Sequence, residues 1–178
     1  MKAKTFLFVL IILSSLTSAQ VDFSLGGNLG GGSFSGNSTS IEGFNLNLFV
    51  EADIPLFSEV FPRAGFIFIK DYNAIIPNST QPYNPYLLGA YIKGVTTQYF
   101  DGKIFLEEGV GLLALNDHTF ADTDVWDYGV VLSITAGFDL RNFDLKGFKL
   151  GAGIEYGITF FNTLPEYYNL SLQIHYYL

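Results

Sequence analysis

Phe148–Phe160 reads FKLGAGIEYGITF, and taking every second residue decides what it is. The even positions are Phe148, Leu150, Ala152, Ile154, Tyr156, Ile158 and Phe160, and between them lie Lys149, Gly151, Gly153, Glu155, Gly157 and Thr159. A period of two sends successive side chains to opposite faces of a β-strand. Three more stretches repeat the pattern. In Phe44–Leu56 the opposite face includes Asn45, Asn47, Glu51 and Asp53. In Tyr128–Leu140 it includes Gly129, Ser133, Thr135, Gly137 and Asp139. In Leu170–Leu178 it holds Ser171, Gln173, His175 and Tyr177. Every even position in all four stretches is apolar.

Working outward from these, four weaker strands fit the same scheme. Val21–Leu29 puts Val21, Phe23, Leu25 and Leu29 opposite Asp22, Ser24 and Asn28. Arg63–Tyr72 is read with Phe66 and Phe68 outward and Arg63 inward. Tyr86–Val95 sets Leu88, Ala90 and Ile92 against Tyr91 and Lys93. Lys103–Leu115 sets Ile104, Leu106, Val110 and Leu112 against Lys103, Glu107, Gly109 and Gly111. Eight strands, an even number, return the chain to its starting side. The predicted fold is all-β: an eight-stranded antiparallel up-and-down transmembrane β-barrel. With both mature ends on one side, the short turns fall near 57–61, 96–102 and 141–144. The loops fall near 34–42, 73–84, 116–126 and 162–166, three of them long and rich in Ser, Asn, Asp, Gly and Pro.

Composition decides which face is wet. The chain is 49% apolar and 17% aromatic but only 15% charged, where a soluble domain carries about 25% charged residues. A soluble carrier barrel, apolar within and polar without, is the rival reading. Against it, the polar face is crowded with glycine, which packs nothing on a water-facing sheet but suits a narrow lumen. Thirteen residues at about 3.3 Å, tilted roughly 40°, also suffice to cross an apolar band of about 25 Å. Aromatics gather at both strand ends: Tyr72, Tyr86, Trp126 and Tyr128 by the loops, Tyr99, Phe100, Phe143 and Tyr176 by the turns. Such residues sit at headgroup level.

The first residues read as an export signal, Met1–Ala19, with Lys2 and Lys4 before the apolar run Phe6–Leu13 and a cut expected before Gln20. The barrel domain is then 20–178, and losing both lysines takes the net charge from −8 to about −10. So acidic a chain is a poor match for nucleic acid. With no cysteine there is no disulfide, thiolate metal site or acylated anchor.

Leu170, Leu172, Ile174 and Tyr176 form an alternating apolar final strand. In this the chain resembles the small outer-membrane β-barrel proteins of Gram-negative bacteria, of the OmpX and OmpA-barrel type. The resemblance covers the mature chain and rests on pattern; the last residue departs from it, being Leu178 instead of an aromatic. It implies outer-membrane lipid as surroundings and recognition of the last strand by the barrel-assembly machinery.

The candidate site is the lumen. Arg63, Lys93, Lys103 and Lys149 face inward with Glu51, Asp53, Glu107, Asp139 and Glu155, joined by Gln173 and His175. Buried charges need partners, so the primary reading is an ion-pair network filling the lumen; the second is a charged constriction gating small solutes. A weak metal candidate is the acidic loop with Asp117, His118, Asp122, Asp124 and Asp127, though its spacing is not that of an EF-hand. Some barrels of this class modify lipid A, one group with a His-x-Ser arrangement. Here Phe120 follows His118 and Tyr177 follows His175 at that distance, so no catalytic residue and no cofactor is assigned. Glu108 falls on the apolar face between Leu106 and Val110. A β-bulge, a position near the interface or a contact between protomers are the three readings open. Function is thereby expected at the outer loops, as an envelope-structural or adhesion-like surface with an extracellular partner.

Overall fold

The computed structural model describes residues 21–54, 59–75 and 82–178. The expected signal segment lies outside them, as do residues 57–58 of the first turn and 76–81 of the second loop. Eight antiparallel strands form one closed barrel in chain order: β1 (Asp22–Ser35), β2 (Ile41–Asp53), β3 (Phe61–Asp71), β4 (Tyr86–Phe100), β5 (Ile104–His118), β6 (Val125–Asp139), β7 (Gly147–Thr159) and β8 (Glu166–Tyr177). One 3₁₀ turn, Tyr72–Ala74, follows β3.

Register fixes the slope of the strands. From Ser24, hydrogen-bonded partners run through Glu51, Arg63, Lys93, Gly111, Val131, Gly157 and Tyr167, returning to β1 at Phe34. The path comes back ten residues further along β1 than it began. A stagger of this size tilts the strands by about 40°, so each residue climbs roughly 2.5 Å along the barrel axis.

The two faces differ as the alternation requires. On β8, Leu172 and Ile174 are 68% and 56% exposed, whereas Gln173 and His175 are 2% and 0% exposed. The outer surface carries an apolar belt that includes Leu29, Leu48, Phe66, Ile92, Leu112, Leu132 and Leu170. Burying such a belt requires lipid, and a closed barrel satisfies every interstrand backbone group within it. The chain is a transmembrane barrel; the soluble carrier, with its apolar face inward, is the reading this orientation overturns.

Several strands are longer than their hydropathy shows. β1 continues through Gly30–Ser35, where glycine hides the alternation but the backbone pairs with β2 as far as Phe34 and with β8 as far as Ser35. β4 runs to Phe100, leaving a turn of only 101–103 where a longer one was expected at 96–102. Asp101 (φ 51°) and Gly102 (φ 71°) occupy the left-handed region there, which Gly adopts freely and Asp tolerates.

The lumen has two unlike halves. Toward the loops, Ile67, Ile69, Leu87, Leu113, Leu115 and Val131 from β3 to β6 pack beneath Phe34 and Tyr167. These inward apolar residues escape the alternation, because in the runs FIFI (66–69) and LLAL (112–115) both faces are apolar. Toward the turns the buried side chains are mostly polar or charged.

Candidate functional site

β-Pairing builds the charged half. Glu51, Arg63 and Lys93 are successive partners across β2, β3 and β4. Arg63 has one cation to share and holds two acids: its nitrogens lie 2.6 Å from Glu51 and 2.9 Å from Glu107. Its guanidinium also stacks 4.3 Å over the Phe49 ring. Lys149 approaches the other oxygen of Glu107 at 3.4 Å, and Gln173 donates to Glu107 at 3.2 Å. Tyr177 donates its hydroxyl to Glu51 at 3.2 Å.

A second cluster lies beside the first. Lys93 donates to Glu155 at 2.7 Å and to Ser133 at 3.0 Å. Tyr167 and Asn47 donate to Glu155 at 3.0 and 3.4 Å, and Tyr91 donates to Asn47 at 2.9 Å. Three carboxylates (Glu51, Glu107, Glu155) therefore meet three cations (Arg63, Lys93, Lys149), all buried. The set is neutral and, with its hydrogen-bond partners, crosslinks β2 to β8. His175, fully buried, shares a hydrogen bond of 2.7 Å with Ser24.

Of the charged residues assigned to the lumen from sequence, Lys103 lies outside it, and Asp53 and Asp139 stand at its turn-side mouth. Lys103 stands exposed in the 101–103 turn: its backbone oxygen still accepts from the Asp139 N–H at 2.7 Å, but the wall ends at Ile104 and the side chain has left the barrel. Asp53 is exposed at the last position of β2, opposite Asp22. Asp139 turns to Arg141, which grips it through contacts of 2.7 to 3.0 Å.

Arg141 is the functional side chain the alternation does not mark, because it lies past the end of β6. It also donates to the Tyr99 hydroxyl at 2.7 Å and stacks 4.3 Å over Tyr177. Burial opposes its charge, but the hydrogen bonds and charge of Asp139 outweigh burial and raise its pKa. Tyr99 is thus drawn to the mouth of the lumen instead of the lipid girdle. Around it a cavity of about 940 Å³ opens at the turn end, lined by Glu51, Lys149, Tyr99, Arg141, Tyr177 and Asp53, among others.

A third feature is the β8–β1–β2 wall. Gly30 sits between Asn45 and Ser171, and Asn28 between Asn47 and Gln173. Both amide atoms of Asn45 and Asn169, with Oδ1 of Asn28 and Oε1 of Gln173, have no protein partner. Buried amides beside glycines are the setting in which internal water supplies the missing hydrogen bonds.

The acidic loop carboxylates do separate work. Asp127 is fully buried and accepts from the N–H groups of Tyr128, Phe161, Asn162 and Leu164 at 2.8 to 3.1 Å, pinning the β7–β8 loop to β6. Asp117 accepts from Thr119 and Asn37 at 2.8 and 3.1 Å, tying the β1–β2 loop to β5. His118 stacks on Tyr86 with ring centroids 4.5 Å apart, and its Nε2 lies 3.6 Å from Asp124, whose side chain is exposed. Asp122 is exposed apart from these. Among the described residues no group of three metal-ligating side chains forms, and of the acids named from sequence Asp117 and Asp127 stand here as loop anchors.

These elements make a membrane barrel with an apolar outer face, a neutral ion-pair cluster inside and loops tied down by buried carboxylates. Among solved structures it is similar to neisserial surface protein A, NspA, at 13% identity over 88% of this chain and 97% of that one, with a TM-score of 0.67. It is similar also to Ail, the attachment invasion locus protein of Yersinia pestis, solved with the heparin analogue sucrose octasulfate. There the identity is 10%, over 90% of this chain and 99% of that one, with a TM-score of 0.53. The likeness is one of fold, the eight-stranded barrel of small outer-membrane proteins. No family model matches the sequence, and no curated protein matches it.

Proposed function

We propose that this protein is a non-conducting, non-enzymatic barrel of a Gram-negative outer membrane, exported by its first 19 residues and acting through its loop end as an envelope-structural or adhesion-like surface. The observation that carries this reading is the double closure of the lumen. A solute path would have to break both the apolar packing under Phe34 and Tyr167 and the ion pairs around Arg63 and Lys93. Neither histidine is placed for chemistry on lipid: His175 is sealed in the lumen and His118 is stacked against Tyr86.

Adhesion remains to a surface of particular chemistry. Toward the loop end the exposed acids among the described residues are Glu42, Asp122, Asp124 and Glu166, with Lys70 the one Lys or Arg described near them. Such a surface repels polyanions, so the partner differs from the sulfated ligand in the Ail structure. Two measurements test the proposal. Expression in a Gram-negative host places the protein in the outer-membrane fraction with heat-modifiable gel mobility; recovery from the inner membrane overturns the location. Cells displaying the barrel adhere to animal-cell monolayers more than cells displaying one with 119–124 replaced by a Gly-Ser linker, and adhesion resists added heparin. Equal adhesion by both overturns the role of the loops.

A further inference from the structure

Glu108 is an acid on the lipid side of a membrane barrel, and the structure removes two of its three explanations. No bulge turns it inward: Thr96 and Ile134 are its partners in two unbroken ladders, and its side chain is exposed. A contact with a second copy would have to set a cation against Glu108. No strand cation is available at that depth, because Lys70 is the one outward-facing strand cation among the described residues and stands at the opposite end of the barrel.

What remains is the depth of Glu108 relative to the turn-side interface. Phe138, Phe148 and Tyr176 mark that level on β6, β7 and β8. Ile104, the partner of Phe138, lies four residues below Glu108 on β5, which places Glu108 on the order of 10 Å further in. The belt is notched at this point. Thr96 stands opposite Glu108 and Gln98 opposite Leu106, so polar residues climb from the interface to the carboxylate. Gly94 and Ala136 beside it fill little space. A charged residue within the apolar belt calls for a partner, and the notch opens toward headgroups.

We propose that Glu108, with Thr96 and Gln98, binds the primary ammonium headgroup of a phospholipid in the turn-side leaflet. The carboxylate accepts charge-assisted hydrogen bonds from the N–H groups, and the notch lets the headgroup dip below the girdle. The site needs only the transmembrane barrel and is independent of what the loops bind.

Native mass spectrometry of the folded, delipidated barrel tests it, with phosphatidylethanolamine, phosphatidylcholine and phosphatidylglycerol added in turn. Phosphatidylcholine keeps the headgroup charge but has no N–H to donate. The expected result is retention of phosphatidylethanolamine about tenfold above the other two, the scale of one charge-assisted hydrogen bond, and loss of that preference in Glu108→Gln. The variant removes a charge from a lipid face and keeps the folded gel mobility. Equal retention of all three lipids, or an undiminished preference in Glu108→Gln, overturns the proposal. So does a dimer that disappears with the substitution, which would assign Glu108 to a second copy instead.

Discussion

Toward the loops the lumen is closed by hydrocarbon from β3 to β6; toward the turns it is held by three acids and three cations. The two halves sit inside the same wall and obey the same alternation, yet they respond to different kinds of damage. Packed hydrocarbon loses stability in proportion to the atoms removed. An ion-pair set fails when one member is lost, because the partner is left charged and buried. The closure toward the turns is thus the more brittle, and that toward the loops the more graded.

The sharpest way to break this contrast is Arg63→Leu. It leaves Glu51 and Glu107 facing each other without their shared cation, and the expected loss is about 3–5 kcal/mol, read from urea unfolding in lipid vesicles. Leu115→Ala in the apolar half is expected to cost about 2–4 kcal/mol by the same assay. Equal losses from Arg63→Leu and from the exposed Lys103→Ala would contradict the assignment of the network.

Arg63 and Lys103 also show what the sequence could and could not disclose. The fold was legible because lipid imposes an apolar side chain at each outward position, so β2, β6, β7 and β8 announce themselves. The ion-pair half was legible too as a set of inward positions, from Glu51 to Glu155. Two things hid from periodicity. Strand ends did, since alternation has no sign for where the wall stops: Lys103 has the right parity but lies in a turn, and Arg141 lies beyond its strand yet reaches back to Asp139. The apolar plug was hidden as well, because Ile67, Ile69, Leu113 and Leu115 stand among outward neighbours that are equally apolar. The glycines of β1 erased contrast in the same way.

The loop end extends the comparison at smaller magnitude. Asp127→Ala removes the acceptor of four backbone N–H groups, and the expected cost is about 1–3 kcal/mol. Limited proteolysis within 160–165 should quicken while the barrel stays folded; unchanged cleavage would show that the loop is held by other contacts. Lys103→Ala sets the floor. Its side chain is exposed, and the expected change is within about 0.5 kcal/mol in the same unfolding assay.

Closure of the lumen is the claim on which the proposed function stands, and single-channel recording in planar bilayers tests it most directly. The refolded wild-type barrel is expected to give no stepwise conductance. Discrete steps that disappear on changing Glu107 or Lys149 would contradict the account, because they would place an ion path through the network that is held to close it.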